Sequence, residues 1–178
     1  MDQLETSLFK FNLHHELEIK NYGLDGDEGE VWFGKSLRRR IVKWLINHYS
    51  SSQSKAMALS QAESEQESVI TVLDIGCGNG FIISEIAENV QDLKEQSVDT
   101  LQLLGIDYSI NSIDLSDKII KNRGLHNAKG IDIALKQCDF LNTEQLGTVS
   151  GRREFDYIID KGTFDAICRC EPATQLDH

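Results

Sequence analysis

Residues 72–80 read VLDIGCGNG. An apolar run leads into Asp74, and glycines follow at every second position: Gly76, Gly78 and Gly80. Glycine tolerates left-handed backbone and lets a ligand approach the main chain closely. A ligand-free turn would not need three of them, since each loses backbone entropy on folding. Two more aspartates close apolar runs further on, Asp107 in LLGIDYS and Asp139 in QCDFL. Asp107 is placed to accept hydrogen bonds from a ribose diol. Phe140 follows Asp139 directly. Taken singly, each reads equally well as a cap or turn residue; three acids at successive strand ends are a more specific signal. The dinucleotide fingerprint G-x-G-x-x-G does not fit, because the third glycine comes one residue early and Phe81 holds its place. A pyrophosphate prefers bare amides and positive potential. A carboxylate in the cradle, with no Lys or Arg close behind it, suits a ligand that carries positive charge.

The elements that must position these residues follow from periodicity. VITVLDI, LQLLGID, IDIALKQC and EFDYIID read as four buried strands. FIISEIAENV and NSIDLSDKIIKNRG read as helices, the first with Ile82 or Ile83, Ile86 and Val90 inward, the second capped by Ser109 or Asn111 and stopped by Gly124. Strands alternating with helices predict an α/β, doubly wound, mostly parallel sheet with right-handed crossovers. The expected strand order is 3-2-1-4, incomplete on the C-terminal side, with N-terminal helices before it. Residues 7–20 place Phe9, Leu13 and Leu17 on one helical stripe, and the acidic NYGLDGDEGE reads as a loop. In KSLRRRIVKWLINHY the expected apolar stripe is Leu37, Ile41, Leu45 and His48 with Trp44 beside it; Arg38, Arg39, Arg40 and Lys43 read as its wet face. This divides the chain into an N-terminal helical segment at 1–49, a flexible Ser/Gln/Glu-rich insertion at 50–68, a core at 69–167 and an irregular tail at 168–178.

Composition narrows the partners. The 178 residues carry a formal charge of −11. This disfavours nucleic acid, which selects for Lys and Arg, and fits a small molecule or a basic protein. No apolar run has the length of a membrane span, and MDQLETSLFK lacks a signal pattern. The expected address is cytoplasmic, with the four cysteines reduced and no metal site, since the Cys168–Cys170 pair is too closely spaced for zinc.

S-adenosylmethionine carries a sulfonium and an ammonium and no phosphate, so it fits the cradle. D-x-G-x-G-x-G resembles motif I of the seven-strand Rossmann-like methyltransferases. FDYIIDKGTFDAI, with GEVWFG at 29–34 and GIDYS at 105–109, resembles more narrowly the lysine methyltransferases of translation elongation factor 1-alpha. The resemblance implies that Asp74, Gly76, Cys77, Gly78 and Gly80 cradle the methionine part. It implies Asp107 on the ribose and Asp139 with Phe140 at the adenine. Trp32 and Phe33 would close over the cofactor, Trp32 being equally readable as a staple to the core. Asp160 would face the transferred methyl and orient the substrate amine, and Phe164 or Trp32 would line the lysine channel.

Two departures qualify the resemblance. The family carries a Tyr-Trp pair before its first helix, where this chain has SLFKFNLHH. The family sheet has seven strands, whereas this sequence runs only to CRCEPATQLDH after the fourth. The expectation is therefore a shortened enzyme whose apolar fourth strand is an edge open to self-association. The activity expected is protein-lysine methylation of elongation factor 1-alpha; the alternative is a non-catalytic cofactor- or partner-binding remnant.

Overall fold

The β-branched run Val69–Ile75 forms β1 at the centre of a parallel sheet, and β2 (Thr100–Asp107), β3 (Ile131–Gln137) and β4 (Tyr157–Asp160) pack beside it in the order β3-β2-β1-β4. This is the expected order. In the computed structural model, residues 14, 16–29, 34–59, 69–89, 100–151 and 154–169 are described. The register sets Asp74 opposite Gly105 and Ile75 opposite Asp160, so the glycine loop leaves the sheet between the ends of β2 and β4.

Helices cover both faces. Residues 16–25 form α1, followed by α2 (Gly34–Leu59), α3 (Phe81–Glu88) and α4 (Ile110–Asn122). Val42 and Leu45 of α2, Ile82, Ile83 and Ile86 of α3, and Ile120 of α4 share one core with Ile70, Val72, Leu101 and Leu103 of the sheet. On the other face Leu73, Leu104 and Ile106 pack with Leu146 and Val149 of α5 (Thr143–Ser150), and with Phe140. A last helix, α6 (Thr163–Arg169), follows β4. Ser109 is the N-cap of α4, accepting from the Ser112 amide at 3.4 Å, and Gly124 takes left-handed backbone just beyond its end, as the sequence predicts.

Several expectations are corrected. Residues 21–25 are helical rather than loop. Leu17, expected inward, is 54% exposed, and its neighbour Glu18 is the buried residue. α2 is rotated about its axis from the predicted stripe. Val42 and Leu45 face the core, Trp44 is exposed, and Arg38 is buried rather than wet, its guanidinium lying 4.6 Å over the Phe81 ring. That cation–aromatic contact gives the arginine a place inside. α2 also continues through Leu59, into the stretch read as an insertion. α5 was not anticipated. α6 reaches two residues into the tail expected to be irregular. Phe9, Leu13, Trp32, Phe33, Val90 and the stretches 60–68 and 170–178 lie outside the described residues.

Candidate functional site at the glycine loop

Gly76, Gly78 and Gly80 all have positive φ, at 65°, 54° and 70°. Their surroundings differ. A Cβ on Gly76 would overlap the Thr163 hydroxyl, and one on Gly80 would overlap the Ser116 hydroxyl. A Cβ on Gly78 would meet nothing within 4 Å, so this is where the main chain lies open to an approaching ligand. The loop is fastened from beneath. Thr163 Oγ1 donates to the Ile75 carbonyl at 2.9 Å, Ser116 Oγ to the Gly78 carbonyl at 2.9 Å, and the Cys77 amide to the Ile106 carbonyl at 2.9 Å. Cys77 turns its thiol toward Gly105, where an added Cβ would sit 3.1 Å from Sγ. Burial pushes that thiol well above its usual range. Its part in any cradle is therefore played by its backbone.

Asp107 closes the loop from the β2 side. One carboxylate oxygen accepts from the Gly78 amide at 3.0 Å and the other from the Ser109 amide at 2.9 Å. A carboxylate oxygen can accept more than one hydrogen bond, so these contacts do not preclude a ribose. Asp74 is 1% exposed, and its Oδ2 has no hydrogen-bond partner. Burial raises its pKa to about 7; nearby Lys161 pulls it down, while Asp107 and Asp160 push it up. Lys161 itself is shifted below its ordinary value, first by burial and also by Arg38, against the pull of Asp74 and Asp160.

The outer strands present their acids differently. Asp139 is exposed and accepts from the Leu141 amide at 3.0 Å, as a turn residue does. Phe140 is half-buried against the second core. Asp160 is exposed and accepts from the Thr163 amide at 2.8 Å and the Phe164 amide at 3.2 Å, capping α6. Phe164 is 62% exposed. The structure thus brings Asp74, the three glycines and Asp107 together at one point, with Asp160 at the adjacent strand end.

Sequence reading missed Lys161, Ser116, Thr163, Asn79 and Gly105. Gly105 alone had a local signal, an isolated glycine inside a strand that marks close backbone approach.

A parallel sheet in this order, with a glycine loop after its central strand, belongs to the Rossmann-like class, whose ligands bind beyond the carboxyl ends of the strands. A family model described as a methyltransferase domain matches residues 66–176, and the chain belongs to that family. It is 33% identical over 153 residues to the protein-lysine N-methyltransferase efm4 of Schizosaccharomyces pombe, covering 86% of this chain and 56% of that protein. It is 35% identical over 153 residues to EEF1A lysine methyltransferase 2 of Homo sapiens, covering 86% and 50%. The chain therefore spans about half the length of these curated relatives. Among solved structures it is similar to an S-adenosylmethionine-dependent methyltransferase from Methanococcus maripaludis, with a TM-score of 0.36, 17% identity, and coverage of 77% and 54%. Among the described residues, no helix is long and apolar enough to cross a membrane.

Proposed function

We propose that this chain binds S-adenosylmethionine at the glycine loop and serves in the N-methylation of a lysine of translation elongation factor 1-alpha, in the cytosol. The observation that carries the reading is the buried Asp74 with its unpartnered oxygen, set in the same loop as the open face of Gly78. A buried carboxylate without a donor is costly. A cationic ligand would supply the donor and hold the acid ionised. The residues present therefore fit the cofactor that the family implies. Asp74 would hold its ammonium end, the Gly76–Gly80 backbone its methionine part, Asp107 its ribose, and Asp139 with Phe140 its base. The substrate follows from the relatives, one of which is named for EEF1A lysines.

When bound, the cofactor supplies an electrophilic methyl group on a sulfonium sulfur. The chain must present a neutral amine to it at about 3–3.5 Å and in line. Asp160 stands at the strand end beside Ile75, where its carboxylate would orient that amine. Phe164 would line the path of the lysine stem. The overall acidity would draw in a basic substrate surface.

Titration calorimetry with S-adenosylhomocysteine and with NAD, beside transfer of labelled methyl to purified elongation factor 1-alpha, tests this. Binding of the first ligand alone, with label on lysine, is expected. Binding of NAD instead would overturn the assignment. A second reading, cofactor binding without turnover, draws on the openness of the substrate side, where Ile158 of β4 and Phe164 are 61% and 62% exposed. Binding without label would favour it. The exposed edge of β4 also supports self-association as part of the proposal, which sedimentation would detect as a concentration-dependent mass.

A further inference from the structure

After α1, residues 26–29 form a short strap that lies on the glycine loop. Gly29 has φ 84°, and a Cβ there would overlap both Asn79 Nδ2 and the Glu18 carboxylate. The left-handed backbone here favours glycine, and any side chain would have to displace the ends of Asn79 and Glu18. Asn79, between Gly78 and Gly80 and 5% exposed, donates its side-chain amide to the Glu28 carbonyl at 2.7 Å. The Glu28 side chain is gripped from the opposite direction. Arg123, at the C-cap of α4, donates Nε to Glu28 Oε1 at 3.1 Å and Nη2 to both carboxylate oxygens, at 2.7 Å for Oε1. Its Nη1 reaches Glu88 of α3 at 2.7 Å. These hydrogen bonds, to Glu28 first, hold the guanidinium above its ordinary pKa. One turn back on α1, the Tyr22 hydroxyl accepts from Asn122 at 2.6 Å.

The strap is therefore fastened twice, by its backbone to the loop and by its side chain to α4. α4 is itself tied to the loop through Ser116 and the Gly78 carbonyl. Releasing Glu28 would leave the buried Asn79 carboxamide to find another acceptor, and an unpaired buried donor is costly. The loop geometry that Asn79 shares with its flanking glycines would relax with it.

We propose that Arg123 is a positioning residue, which by gripping Glu28 holds the 26–29 strap on Asn79 and so sets the affinity of the glycine loop for its cofactor. The proposal rests on the cofactor reading above. A planar fork suits this task, because it fixes direction as well as charge.

The test uses the full chain. In it Arg123→Ala is expected to speed amide hydrogen exchange across residues 26–29 in the absence of any cofactor. It is expected to raise the Kd for S-adenosylhomocysteine about tenfold, within the usual span of site-to-site coupling, with helical circular dichroism unchanged. If Arg123→Ala does not fold, Glu28→Gln weakens the same ion pair from the strap side and is expected to move both readouts the same way. A folded variant with the exchange rate and Kd of its parent would overturn the proposal. Absence of S-adenosylhomocysteine binding by the parent would instead overturn the cofactor reading, and the proposal with it.

Discussion

The two inner strands and the two outer strands end in the same residue type and use it differently. Asp74 and Asp107 are 1% and 5% exposed; Asp139 and Asp160 are exposed. The inner acids hold or await donors at the loop, Asp107 fixing the Gly78 and Ser109 amides and Asp74 keeping an oxygen unpartnered. The outer acids turn their oxygens to the amides of a turn and of a helix start. A carboxylate at a strand end is thus shaped by the depth of its strand. In the middle of the sheet it is desolvated, and its charge state responds to what binds. At the flanks water solvates it, and it is cheap to keep as a cap.

Asp107→Ala should break the inner half most severely. It releases two charge-assisted hydrogen bonds, each in the range of about 1.5–3 kcal/mol, so stability should fall by about 3–6 kcal/mol. Urea denaturation measures this, and a loss under 1 kcal/mol would mean that Asp107 does not hold the loop. Cofactor binding should be lost with it.

Asp74→Asn should act in the opposite sense. The folded pKa of Asp74 is about 7, above the reference 3.8. Between those values the native state holds a proton that the unfolded chain has released. The contribution of this group is therefore fully present below pH 3.8 and is lost as pH rises through 7. The Asn variant should lack this slope and be more stable than its parent at pH 8, by up to about 4 kcal/mol, while losing cofactor affinity. Paired melts at pH 5 and pH 8 decide it. A parent whose stability relative to Asp74→Asn does not fall over that interval would show Asp74 to be ionised throughout.

The contrast among the glycines is sharper though smaller. Gly76→Ala meets both left-handed strain, about 1–2 kcal/mol, and overlap with Thr163, which adds about 1–3 kcal/mol. Gly78→Ala meets the strain alone, because its surroundings are open. The first should cost more stability. The second should cost more cofactor affinity than its stability loss explains. Equal effects at both positions would mean that Gly78 is not the ligand-facing one.

The strands were legible because β-branched runs such as Val69–Ile75 carry their own period, and the loop was legible because glycines at every second position mark a turn of left-handed backbone. What escaped was set by distant chain. Arg38 is buried over Phe81, 43 positions away in the chain, and no period within the helix encodes that contact. The Asn79–Glu28–Arg123 fastening joins residues 51 and 95 positions apart. α5 escaped for a local reason. TEQLGTVS holds a glycine and three β-branched residues, which are poor helix formers. Its only local marks were Asn142 at the N-cap and Gly151 just past the end.

The outer half yields the smallest effect and the cleanest separation of roles. Asp160 accepts from the first amides of α6. Asp160→Ala should therefore cost about 1 kcal/mol, the usual value of an N-cap. Asn caps a helix as well as Asp, so Asp160→Asn should leave the melting curve within about 0.5 kcal/mol of its parent. Capping needs an acceptor oxygen, whereas orienting an amine that must shed its proton draws on the negative charge. If the carboxylate performs the second task, Asp160→Asn should lower methyl transfer at saturating cofactor and leave the S-adenosylhomocysteine Kd unchanged. If transfer by Asp160→Asn matches its parent while Asp160→Ala loses only stability, Asp160 is a cap and nothing more. The amine would then have to be oriented from elsewhere, and Lys161, with its lowered pKa beside Asp74, would be the next residue to replace.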